Sequence, residues 1–221
     1  MCRQIQSVGV DYSTTVWQNV PYIKNSGSVR SKAEIAEMFN EKLIEEIKRL
    51  CEKAYPSEGC GLIVGILPEY DLRGVHSPSD RIVPCANIQG QLHRISPQKY
   101  PETGEEAYAM DPKELLTILS DMRKRGEVLK AIYHSHPDSD AGFSSIDYDR
   151  AVHFAVEDAD IPAGIGPGFP PDRCAKKSMR GPLKPIYQDI VQIIITVCDG
   201  NAKDVRFYFW DDLTGEFTEQ K

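Results

Sequence analysis

The feature that most restricts what this chain can fold into is the run Ala131-Ile132-Tyr133-His134-Ser135-His136-Pro137. With Val128 it forms a β-rich apolar stretch, which predicts a buried strand arriving at a loop. Residues two apart on a strand point to the same side. His134 and His136 therefore project together, and Ser135 turns to the other face. Pro137 cannot donate to a sheet ladder and marks the strand's end. Asp147 follows eleven residues after His136. Two convergent imidazoles and one carboxylate make a nitrogen–oxygen site suited to Zn²⁺. Three protein ligands leave a fourth position for water, which marks a catalytic zinc rather than a structural one. The plain alternative is an incidental His-x-His pair, packed or exposed without a ligand.

The 221 residues allow one domain, or a domain with an appendage, and a full core. A net charge of −7 argues against a nucleic-acid surface. No run approaches the ~18 apolar residues of a membrane span, and the first residues carry no apolar signal-peptide core. Cys2, Cys51, Cys60, Cys85, Cys174 and Cys198 show no Cys-x-x-Cys spacing. They read as reduced, mostly buried thiols, so a cytoplasmic location is expected.

Residues 1–30 form an extension with two short alternating stretches, either a docked arm or a partner-binding strand. Ser31-Lys32-Ala33-Glu34 is a capping-box sequence. Ile35, Met38, Phe39, Leu43, Ile47, Leu50 and Cys51 follow at helical spacing, and Asn40 offers a second start, leaving one helix or two. Cys60–Leu67 predicts an apolar strand with Arg81–Ala86 as its neighbour. The loop between them holds His76, read as a surface residue. Residues 87–107 read as polar loop, and Tyr108-Ala109-Met110 as a short strand. Asp111, Pro112 and Glu114 open a helix as N-cap, N1 and N3. Leu115, Ile118, Leu119 and Met122 are its buried stripe, and Gly126 ends it. A further helix starts at Ser144-Ser145-Ile146-Asp147, with Ala151, Phe154 and Ala155 inward and His153 turned ~240° away from Asp147. Serine there is a natural N-cap. If another group caps, the Ser144 hydroxyl is free for chemistry. Residues 158–187 hold six prolines and four glycines among basic residues; they form a basic flap or a passive insertion. Ile190–Val197 predicts a central strand, Asp199-Gly200-Asn201 a turn, and Val205–Trp210 a half-buried strand. A turn at Thr214-Gly215 and a short tail complete the chain.

Glu58, then His134-Ser135-His136, seven residues, Ser144, two residues and Asp147 form a pattern that resembles the JAMM (MPN+) zinc metalloproteases. Pro137 and Glu58-Gly59-Cys60-Gly61-Leu62 resemble their bacterial, JAB-like branch. The resemblance covers roughly residues 33–210, inside a domain expected to span 31–221. It implies an α/β domain of the MPN (JAB-like, cytidine-deaminase-like) fold, a mixed, curved sheet flanked by helices. It implies one Zn²⁺ per chain on His134, His136 and Asp147, with Ser135 behind them. Glu58 would be the general base and Ser144 the oxyanion donor. It places the loop after the second strand beside the site; that loop is read as ordinary, with substrate contact by His93, Arg94 or Tyr100 as the alternative. The implied reaction is hydrolysis of an amide after the C-terminal glycine of a ubiquitin-like protein, by deconjugation or precursor processing. Expected partners are a ubiquitin-like or sulfur-carrier protein ending in Gly-Gly, with activating (E1-like) and conjugating (E2-like) enzymes of the same system, and neither nucleic acid nor membrane. Two alternatives remain open: release of an amino acid such as cysteine from a sulfur-carrier adduct, and a non-catalytic MPN scaffold.

Overall fold

A computed structural model of the chain describes residues 39–66, 80–154, 183–186 and 190–220. The expected N-terminal arm, the capping box at Ser31, His76 and nearly all of the 158–187 stretch lie outside these residues.

Helix α1 (Glu41–Ala54) starts at Asn40, whose side chain accepts from the Leu43 amide, and buries Leu43, Ile47 and Cys51. Strand β1 (Cys60–Gly65) is buried along its whole length. It pairs antiparallel with β2 (Arg81–Cys85) on one side and β3 (Val128–Pro137) on the other. Between β2 and β3 lie α2 (Gln89–Ile95) and α3 (Pro112–Arg125). Helix α3 begins at Asp111, which accepts from Lys113, and buries the expected stripe of Leu115, Ile118, Leu119 and Met122. Gly126, at φ 67°, closes it in the left-handed conformation.

After β3 come α4 (Ser145–Ala151) and a small antiparallel pair, β4 (Val152–Phe154) and β5 (Leu183–Pro185). The chain then returns as β6 (Val191–Cys198), parallel to β3, and finishes with the antiparallel β7 (Asn201–Asp211) and β8 (Glu216–Gln220). The open six-stranded sheet has the order β2-β1-β3-β6-β7-β8. One parallel pair among antiparallel ones makes it mixed, with helices on both faces, as expected.

Strand alternation sorts the core into these two faces. Ile63, Ala131, Tyr133, Val191, Ile193 and Ile195 meet α1. Cys60, Leu62, Val64, Leu129 and Ile132 meet α3. Two glycines permit the closest approaches. A Cβ on Gly61 would sit 2.5 Å from the Tyr133 hydroxyl and 2.5 Å from the Val83 carbonyl. One on Gly59 would sit 3.0 Å from Cys51 Cα in α1.

Four expectations need correction. Helix α2 occupies part of the expected loop. Tyr108-Ala109-Met110 supplies only an isolated bridge, Asn87 to Met110. Helix α4 stops at Ala151, because Val152 turns extended. The helical rotation assigned to His153 therefore does not apply, and that residue pairs with Lys184 in the small sheet. The C-terminal tail is strand β8.

Candidate metal centre

The site forms where β3 runs out against the start of α4. Alternation places His134 and His136 on the α3 face of the sheet, as their spacing predicts. Both are buried, as are Glu58, Ser135 and Asp147. Asp147 is carried to them by the first turn of α4. The two Nε2 atoms lie 3.1 Å apart. His134 Nε2 is 3.2 Å from Asp147 Oδ1, and His136 Nε2 is 3.3 Å from Asp147 Oδ2. Tetrahedral zinc with bonds of ~2.0–2.1 Å requires ligand atoms about 3.3 Å apart. The three donors stand at that separation before any ion is placed, so the set fits the cation.

His136 Nδ1 lies 2.8 Å from the Asp140 carbonyl. A carbonyl only accepts, so Nδ1 holds a proton, and Nε2 is the ring atom turned toward the other donors. The Tyr108 ring stacks on His134 at 4.6 Å between centroids. Burial alone would push the Asp147 carboxyl up. The His134 charge and hydrogen bonds with His134, His136 and Ser144 outweigh it and hold that carboxyl well below the usual carboxylate range. Burial lowers His134 below its ordinary value. It acts the same way on His136, but Asp147 and the Asp140 carbonyl outweigh it and leave His136 raised.

Ser144 is the N-cap. Its hydroxyl accepts from the Asp147 amide at 3.1 Å and donates to Asp147 Oδ2 at 2.6 Å, while the Ser144 amide donates to the same oxygen at 3.0 Å. The capping alternative is therefore the one the structure shows. The hydroxyl proton is held by Asp147 and is not directed into open space.

Glu58 precedes β1 and is 4 % exposed. Its Oε2 has no hydrogen-bond partner among the described residues. Burial pushes its carboxyl up to about 8, with His136 opposing the shift and Asp147 adding to it. Those influences place it within electrostatic reach of the donor set. Ser135 does not face that set. Its hydroxyl accepts from the Gly59 amide at 2.8 Å and its own amide donates to the Gly59 carbonyl at 2.9 Å. It thereby ties the residue after Glu58 to the histidine strand.

Four residues escaped the sequence reading. Asp140 contributes only a carbonyl, which carries no side-chain signal. Tyr108, Asn87 and Arg150 act through folds in the chain that spacing does not reveal. Arg150 donates to the Tyr108 carbonyl and, at 3.3 Å, to Gln89 Oε1. His93 turns back on its own loop, with Nδ1 2.9 Å from the Tyr100 carbonyl.

The family described as prokaryotic homologs of the JAB domain matches residues 40–209, most of the chain and every residue of the site. The chain belongs to that family. Among curated proteins, this JAB-domain chain is 31% identical over 96 residues to the desampylase of Haloferax volcanii. The match covers 43% of this chain and 55% of that protein, so the chain spans about half the length of its relative. Two solution structures are also similar. A protein from Desulfitobacterium hafniense has 20% identity and a TM-score of 0.45, over 83% of this chain and 88% of that one. A protein from Salinibacter ruber has 18% identity and a TM-score of 0.42, with the same coverage of each chain. Among the described residues no helix is long and apolar enough to cross a membrane.

Proposed function

We propose that this JAB-domain protein is a zinc-dependent isopeptidase that hydrolyses an amide after the C-terminal glycine of a ubiquitin-like protein. The observation that carries the reading is the buried His134–His136–Asp147 set at tetrahedral spacing, within electrostatic reach of Glu58, whose Oε2 has no hydrogen-bond partner among the described residues. Membership of the JAB family and the similarity to a desampylase support the substrate class. A scaffold would have no use for three convergent buried donors and a buried acid with an unsatisfied oxygen.

Zn²⁺ held by His134, His136 and Asp147 would make water a nucleophile near neutral pH and polarise the scissile carbonyl. Glu58 takes the proton from the attacking water and returns it to the departing amine. Burial raises the Glu58 carboxyl, which favours its holding the proton after the transfer, and a cation on the three donors would favour the ionised form that takes it. Ser144 gives up its bond to Asp147 Oδ2 and donates to the oxygen on which negative charge develops. Ser135 and Asp140 hold Gly59 and His136 still. Cys51, Cys60 and Cys85 are buried free thiols, which supports action in a reducing, cytosolic setting.

The test combines metal analysis with one substitution. Purified wild type should hold about one zinc per chain and cleave a lysine isopeptide of a Gly-Gly-ended ubiquitin-like protein. His136→Ala should lose both. Glu58→Gln should keep the zinc and lose ~10²–10⁴-fold in rate. Near wild-type cleavage by Glu58→Gln would remove Glu58 from the reaction. Metal-free, chelator-insensitive wild-type activity would remove the zinc.

A further inference from the structure

Glu58 has an unusual division of labour between backbone and side chain. Its carboxylate Oε2 is unpartnered, yet both of its main-chain polar groups are held. The Glu58 amide donates to the Gly104 carbonyl at 2.8 Å. The Glu58 carbonyl accepts from Asn87 Nδ2 at 3.0 Å. The same Asn87 nitrogen reaches the Ala107 carbonyl at 3.2 Å and the Gly104 carbonyl at 3.3 Å. Asn87 Oδ1 accepts from the amides of Gln89 at 3.0 Å and Ala109 at 3.1 Å. Three carbonyls on one side and two amides on the other admit only one orientation of this side chain.

We propose that Asn87 is a positioning residue for Glu58, its amide fixing the main-chain frame from which the Glu58 carboxylate reaches the His134–His136–Asp147 centre. The inference rests on the assignment of Glu58 as proton carrier. Asn87 follows the end of β2, and its side-chain hydrogen bonds go to main-chain groups, none of them on His134, His136 or Asp147. Its bonds gather the turn before β1, the start of α2 and the 104–109 segment onto one amide. Aspartate is isosteric and keeps the acceptor for Gln89 and Ala109. It replaces the donor with an oxygen facing three carbonyls, so the clamp on Glu58 becomes repulsive while the rest of the site is untouched. A displacement of about 1 Å at a reacting group can cost 10²-fold.

The experiment compares zinc-loaded full-length wild type, Asn87→Asp and Glu58→Gln on a short peptide ending in Gly-Gly linked to an aminocoumarin. Asn87→Asp should bind zinc with unchanged stoichiometry and keep KM within twofold, while kcat falls at least tenfold. Amide hydrogen exchange should show the Glu58 amide opening at least tenfold faster, with Ile132 and Tyr133 in β3 unchanged. A kcat within twofold of wild type, a loss of zinc that accounts for the loss of rate, or an unchanged Glu58 amide each overturns the proposal. Should Asn87→Asp not fold, Asn87→Ser is put through the same measurements. Failure of both to fold makes Asn87 a folding residue and overturns the proposal too. Loss of activity in Glu58→Gln without any effect of Asn87→Asp rejects this inference alone. Retained activity in Glu58→Gln rejects the reading beneath it.

Discussion

Ser144 and Glu58 show how one side chain can serve two demands. Ser144 caps α4 and grips the carboxylate that α4 delivers, so Ser144→Ala should act twice. Loss of the cap should cost about 1 kcal/mol in urea unfolding, and zinc affinity should fall ~10–100-fold by titration. If the hydroxyl also serves the oxyanion, saturating zinc will leave a kcat deficit of ~10²-fold or more. Full recovery at saturating zinc would reduce Ser144 to a cap and a carboxylate holder. Glu58 makes a pH-dependent prediction. Its folded-state carboxyl, near 8, lies above the ordinary 4.5, so the native chain keeps a proton that the unfolded chain has released. The Glu58 contribution to stability is then full below pH ~4.5 and falls as pH rises toward 8, by at most about 1.4 kcal/mol per unit. With chelator present, Glu58→Gln should gain on wild type between pH 6 and pH 8 in urea midpoints. A constant difference would mean that Glu58 is not desolvated. At this scale the histidines and Asp147 were legible because strand alternation and motif spacing are local. The Asp140 carbonyl and the Tyr108 ring were not, since backbone acceptors and stacking leave no pattern in sequence.

Among the elements, α3 was readable from end to end because everything that defines it is local: Asp111 as cap, Pro112 at the first turn, four apolar residues at helical spacing, and Gly126. Helix α2 has none of those marks. Ile88 gives it no side-chain cap, and only Gln89 is buried. It is held from outside, by Asn87 and Arg150, so its sequence reads as loop. Among the described residues strand β8 is a polar edge that pairs only with β7, and its composition looks like a tail. Strand β1 carries the sharpest packing prediction. A methyl on Gly61 would press on both the Tyr133 ring and the Val83 backbone, so Gly61→Ala should cost about 1–3 kcal/mol. Shrinking Tyr133 to leucine in the same chain should restore only part, since the Val83 carbonyl remains in the way. Full restoration would show that the strand itself can shift.

For the molecule as a whole, the sequence disclosed two strongly buried strands, β1 and β6, without disclosing their order. A continuous apolar run reports burial on both faces and says nothing about its neighbours. The resemblance implied a mixed sheet flanked by helices, and the strand order β2-β1-β3-β6-β7-β8 came only with the structure. The parallel β3–β6 pair needs a crossover, and the chain places α4 in it, beside the end of β3. That single connection is what brings Asp147 to the histidines.

The positions of these residues along the chain also set an order of events. His134, His136 and Asp147 fall within one short stretch, whereas the contact between Gly59 and Ser135, next to the proposed base Glu58, spans 76 positions. Long closures are slower than short ones. A refolding chain should therefore capture its cation early and stay hydrolytically silent until β1 docks against β3, an interval in which loading and activity are separated in time. Refolding in cobalt, followed by absorption and by peptide cleavage together, should show colour before turnover. Simultaneous onset would mean that the centre and the sheet assemble in one step.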